Sequence, residues 1–144
     1  MDVTPKAYKI WKRLFEDPNL WMSVPSVAYD VDMTSRQVLS VLKTMHSDYI
    51  ERRPGTSDSD PMLRLTVTDE EFRALRREVI MSYNNLDEEM LQGIRNALSP
   101  VGWTSASDLA IITGYRPAKI CVALSIMSDV AQKTECATKL YSLS

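Results

Sequence analysis

The side chains in this sequence best suited to chemistry are hydrogen-bond donors in a stretch free of acids. Between Ser35 and Ser47 the chain carries Arg36, Gln37, Ser40 and Lys43, and neither aspartate nor glutamate. Arginine and glutamine can engage guanine and adenine edges through paired hydrogen bonds. Ser40 and Lys43 follow at spacings that keep them on the neighbouring face of a helix. Arg52, Arg53 and Arg64 supply cations that could reach phosphates. A solvated helix face also looks polar, and Asp58 and Asp60 between these arginines would repel a polyanion.

Groups for catalysis are few. His46 is the one histidine, and nothing in the sequence assigns it an acid-base or metal partner. Only four glycines occur, none in a phosphate-cradling loop, and Cys121 and Cys136, 15 positions apart, match no zinc spacing. Asp58 with Asp60, and Glu88 with Glu89, are explained by a polar loop and by the positive end of a helix dipole. No catalytic activity, cofactor or metal is expected.

At 144 residues, with 44% hydrophobic against 25% charged side chains, the chain can build packed cores and lies outside the disordered class. The formal net charge of −2 gives no general attraction to phosphate, so any nucleic-acid contact must be local. No apolar run approaches the length of a membrane span and no signal peptide is recognised, so a cytoplasmic protein with reduced thiols and no membrane contact is expected.

The elements that must position the donors emerge from an internal repeat. Trp21 and Trp103 lie 82 residues apart, and at that offset the chain aligns with itself without a gap for about 28 positions. Ser23 meets Ser105, Ala28 meets Ala110, Val38 meets Ile120, Leu42 meets Leu124 and Met45 meets Met127. Matches recurring at helical spacings are what two copies of one helical unit leave behind. Any two amphipathic helices can be slid into some register, but the shared tryptophan and the small residue are not generic to helices.

In the first copy a helix is expected over 5–16, an extended piece over 20–22, and a helix led by Ser23 and Pro25 to about Tyr29. After a turn at 30–33, Thr34 or Ser35 caps a helix with Val38, Val41, Leu42 and Met45 inward. Strands at 49–53 and 62–67 flank an exposed loop at 54–61, with Leu63, Leu65 and Val67 facing the core. Thr68 and Glu71 form a capping box ahead of Phe72, Leu75, Val79 and Tyr83, and Asn84-Asn85 break that helix. The second copy reads as a helix over 87–98 stopped by Ser99-Pro100, a helix over 107–113 turning at Gly114, and a third from Pro117 to about Ser128. A ribbon of 130–133 and 139–143, joined by 134–138, follows it.

Helix, short strand, helix, turn, helix, strand, loop, strand is the order by which the chain resembles the winged helix-turn-helix superfamily. The resemblance covers nearly the whole sequence and rests on element order and the repeat, without an invariant signature. It implies an α+β, mainly helical fold of two tandem winged-helix modules, 1–67 and 86–144, joined by a connecting helix and linker at 68–85. It also implies that the third helix of the first module enters the major groove of double-stranded DNA. There Arg36, Gln37, Ser40 and Lys43 would face base edges, and Arg52, Arg53 and Arg64 phosphates. Arg73, Arg76 and Arg77 would either extend this basic surface or pair with Asp69, Glu70 or Glu78.

The third helix of the second module is apolar almost all round, with Ala118, Cys121, Val122, Ala123, Ser125 and Ile126 surrounding the core positions Ile120, Leu124 and Met127. Ala118, Cys121, Val122 and Ile126 are therefore expected to form a protein interface, most simply a homodimer contact. Tandem winged helices are similar both to transcription or replication regulators, including phage-type replisome organisers, and to scaffolds. The scaffolds include ESCRT winged-helix subunits and the winged-helix partner of bacterial condensin. A DNA-binding regulator and a protein-interaction scaffold thus both remain open, because function lies in the surfaces presented and not in the fold.

Overall fold

Local chemistry at the helix ends sets the architecture. Thr4 accepts a hydrogen bond from the Ala7 amide and Pro5 fills the first turn of α1, Pro5–Glu16. Ala7, Ile10, Trp11 and Leu14 repeat at helical spacing and are buried. The computed structural model describes residues 3–45, 48–55, 61–98 and 102–144. His46, Asp58, Asp60 and the expected Ser99-Pro100 stop lie outside them, as does most of the loop expected at 54–61.

The chain is α+β and mainly helical, with seven helices among the described residues and two three-stranded antiparallel sheets. It divides into two compact units, Met1–Val79 and Ile80–Ser144. In the first, β1 (Met22–Ser23) leads into α2 (Val24–Asp30) and α3 (Ser35–Thr44), then β2 (Ile50–Arg53) and β3 (Met62–Leu65). The strand order is β1-β3-β2, with Met22 opposite Leu63 and Arg52 opposite Leu63 on the other side. The alternation turns Leu63 and Leu65 into a core that also holds Ile10, Leu14, Val24, Val27 and Val38.

The helix α4, Asp69–Tyr83, opens with reciprocal Thr68–Glu71 capping hydrogen bonds of 2.9 and 3.2 Å. Its Leu75 and Val79 belong to the first core, and its Phe72 meets Phe15 edge to face. It closes on Asn85 at φ 53, with the Leu86 amide bonded to the Met81 carbonyl, a left-handed cap that Asn tolerates.

The second unit comprises α5 (Glu88–Ala97), β4 (Thr104–Ser105), α6 (Ala106–Thr113), α7 (Pro117–Ile126), β5 (Val130–Glu135) and β6 (Thr138–Leu143). Its sheet order, β4-β6-β5, has the connectivity of the first. The 82-residue offset carries β1 onto β4 and the bounds of α3 onto those of α7. Ser23 and Ser105 both cap, accepting from the Ser26 and Asp108 amides, which are themselves one offset apart. Asp32 at φ 56 and Gly114 at φ 80 turn the chain at corresponding positions after α2 and α6.

Some bounds shift, since β1 is Met22–Ser23 and not 20–22, β3 stops at Leu65 and α7 at Ile126, and two further details differ from expectation. The ribbon is longer, because Glu135 pairs with Thr138 and leaves only Cys136-Ala137 in the turn, at φ 51 and 62. Ala123, expected on the outside of α7, is fully buried beside Ile120 and Leu124.

Candidate functional site

On α3, Thr34 and Gln37 form a complete capping box, Gln37 accepting from the Thr34 amide at 2.9 Å and Thr34 from the Gln37 amide at 3.1 Å. Val38 and Leu42 anchor the inner face, leaving Arg36, Gln37, Ser40 and Lys43 exposed together. Arg36 and Lys43 make no ion pair among the described residues, so their charges stand uncompensated by any described carboxylate.

The three arginines of β2 and β3 do different things. Arg52 is exposed and makes no ion pair among the described residues. Arg64 reaches Glu51 at 3.1 Å and the Thr66 hydroxyl at 3.1 Å, and its guanidinium lies 4.5 Å from the centre of the Trp21 ring. Hydrogen bonds from Thr66 and then from Arg64 hold the Glu51 carboxyl below its ordinary range. Arg64, expected at phosphate, is thus already occupied within the fold. Arg53 sits 4.1 Å from the same indole and is otherwise free of ion pairs among the described residues.

Sheet register explains the cluster. Glu51 stands opposite Arg64 and Arg53 opposite Met62, while Ser23 faces Met62 from the other edge. Continuing that register by one residue sets Trp21 beside Arg64, so indole, guanidinia and carboxylate share the outer face of the sheet. Trp21 was visible in the sequence as a landmark of the repeat, but its cation partners come from strands whose pairing the sequence does not specify. The second sheet repeats the theme, with the Lys133 ammonium 4.6 Å from the Trp103 ring, although Lys133 also reaches Glu135 at 3.4 Å. No hydrogen bond or ion pair among the described residues joins the α3 face to this cluster.

The four α7 residues expected at a protein interface differ in exposure. Ala118 and Cys121 are exposed, but Val122 and Ile126 are half-buried against their own unit's core, so the four do not form one open apolar stripe. The helix winds those two side chains to the margins of the face that carries Ile120, Ala123 and Leu124. Two large aliphatic side chains stand in water on α6, where Ile111 is 82% and Ile112 61% exposed, and Leu20 before β1 is also exposed. Tyr29, which the repeat sets against Ile111, is 87% exposed on α2.

Cys121 and Cys136 are free and exposed thiols, and no cluster of potential metal ligands occurs among the described residues. Open grooves flank Arg13, whose guanidinium binds Asp30 at 2.7 Å and Asp17 at 2.8 Å. Those hydrogen bonds, Asp30 first, raise its pKa above the usual arginine value. The contact joins the end of α1 to the end of α2. No single helix among the described residues is long and apolar enough to cross a membrane. No family model, curated protein or solved structure matches the chain.

Proposed function

We propose that the chain is a DNA-binding regulatory protein of two winged-helix modules, 1–67 and 86–144, with a connecting helix between them. Helix α3 lies in the major groove, where Arg36, Gln37, Ser40 and Lys43 meet base edges, and Arg52 and Arg53 bind phosphates beside it. The observation that carries this reading is the outward face of α3. It presents two cations with no described carboxylate paired to them, on a capped helix without an acid. In a chain of net negative charge, any attraction to a polyanion must come from a local cationic face such as this one.

A salt titration of binding to mixed-sequence duplex DNA tests it. Affinity falls steeply, log K changing by about −0.9 per neutralised phosphate for each unit of log salt. No binding at low ionic strength overturns the reading.

A second role belongs to the second module, and the exposure of Ile111 and Ile112 favours it. Two large aliphatic side chains held in water on one short helix are a protein-contact surface, and a second copy of this chain is its simplest occupant. A scaffold that binds protein alone is the form this takes if DNA is not bound.

A further inference from the structure

We infer that Trp21 is a positioning residue that holds the Arg53 guanidinium ready for a DNA phosphate, an inference that rests on the DNA-binding reading above. An arginine that waits for phosphate at a strand end faces two difficulties. Left free it must be ordered on binding, and restrained by a carboxylate it arrives already neutralised. The outer face of the first sheet avoids both.

Arg53 ends β2, immediately before Pro54, and its guanidinium lies over the indole at 4.1 Å. An aromatic face attracts the cation without cancelling its charge. A guanidinium has five N–H donors, so one held beside a ring retains donors for a bidentate acceptor. The indole has a second cationic neighbour, Arg64, which approaches the same ring at 4.5 Å while tied to Glu51 and Thr66. Two neighbouring arginines thus divide the work. Arg64 is compensated and structural, whereas Arg53 makes no ion pair among the described residues and is exposed.

The second sheet provides an internal contrast. Lys133 occupies the corresponding place over Trp103, but Glu135 binds its ammonium at 3.4 Å. The same pairing there leaves little net charge to offer, which locates the phosphate contact in the first unit.

The test uses the full chain and a labelled mixed-sequence duplex, with affinity measured across a salt series for Trp21→Leu, Trp21→Phe, Arg53→Ala and the double variant Trp21→Leu/Arg53→Ala. Thermal melts identify any variant that has lost its fold. Trp21→Leu should weaken binding about three- to tenfold, the range set by losing one cation–aromatic restraint, and Trp21→Phe should recover most of it. Arg53→Ala should lower the salt slope by about one phosphate, and adding Trp21→Leu to it should cost nothing further.

Additive losses in the double variant, or wild-type affinity in a folded Trp21→Leu, overturn the positioning role while leaving DNA binding intact. Should Trp21→Leu fail to fold, Trp21→Phe still decides, combined with the upfield ring-current shift of the Arg53 side chain in the NMR spectrum. An unshifted Arg53 resonance in the wild type overturns the inference. Absence of wild-type binding at low salt removes the DNA reading and this inference with it.

Discussion

Gln37 is asked both to cap its helix and to meet a base edge. Its Oε1 accepts from the Thr34 amide, which leaves one lone pair and the two NH2 donors for other partners. Bidentate reading of adenine uses that second lone pair together with an NH2 donor. Gln37→Ala is therefore expected to lower stability by about 1 kcal/mol through the lost cap, besides any loss in DNA affinity. Gln37→Glu retains the capping acceptor but removes the donors and adds a negative charge, so it should melt like the wild type and bind DNA much more weakly. Arg36 has no part in the cap. Arg36→Ala should leave the melting temperature unchanged and cost about 1 to 3 kcal/mol on a preferred sequence, relaxing selectivity. Melting curves paired with binding to two duplex sequences separate these cases. A stable, tightly binding Gln37→Glu protein would remove Gln37 from the interface.

At the scale of elements, what the sequence made legible was what neighbours in the chain decide. The starts of α1 at Pro5, of α3 at Thr34 or Ser35 and of α7 at Pro117 were readable from residues within a turn of each helix. The Trp21–Arg53 stack and the true length of the last ribbon depend on strand register, which the sequence leaves undetermined without a turn signal. The β5–β6 turn has none, since Cys136-Ala137 takes two left-handed positions that Asn-Gly would ordinarily fill. A β-carbon in that conformation costs about 1 kcal/mol or more. Ala137→Gly is accordingly expected to stabilise the second unit by up to about 1 kcal/mol, and Gly114→Ala to destabilise it by a similar amount. At Gly114 the cost comes from the backbone alone, because an added β-carbon would meet nothing within 4 Å. Urea denaturation of both variants measures it, and a neutral Ala137→Gly would mean that the turn is not held left-handed.

For the whole molecule, each unit has its own core, so a perturbation is followed unit by unit. Acid is one. Arg95 binds Asp129 at 2.6 Å and thereby holds that carboxyl below its ordinary value of 3.8. A depressed carboxylate stabilises the fold above its unfolded-state value and loses that contribution as pH falls through the lower folded value. With these side chains 30% and 42% exposed, solvent screening limits the pair to about 1 kcal/mol at most. Asp129→Asn should thus be slightly less stable than wild type at neutral pH, with the gap closing only below the ordinary carboxylate range. A gap unchanged in strong acid would assign the loss to packing.

Self-association is the other perturbation, and exposure decides where to probe it. A glutamate at Val122 or Ile126 is a poor probe, since both lie half-buried against Ile120 and its neighbours and a charge there threatens the fold before any assembly. Ile111 is different. At 82% exposed it contributes little to its own core, so Ile111→Glu should fold and melt as the wild type does. If a second copy covers α6, the same substitution places an unpaired charge in an apolar contact and separates the dimer, which sedimentation velocity reads as a change from about twice the chain mass to one. DNA binding offers an independent reading of the result. Loss of a paired site lowers affinity for two spaced half-sites while leaving affinity for one unchanged, because the α3 face lies in the other unit. A wild type that sediments as a monomer at every concentration, and whose affinity for paired sites Ile111→Glu leaves unaltered, would refute the dimer and reserve the α6 face for a different protein.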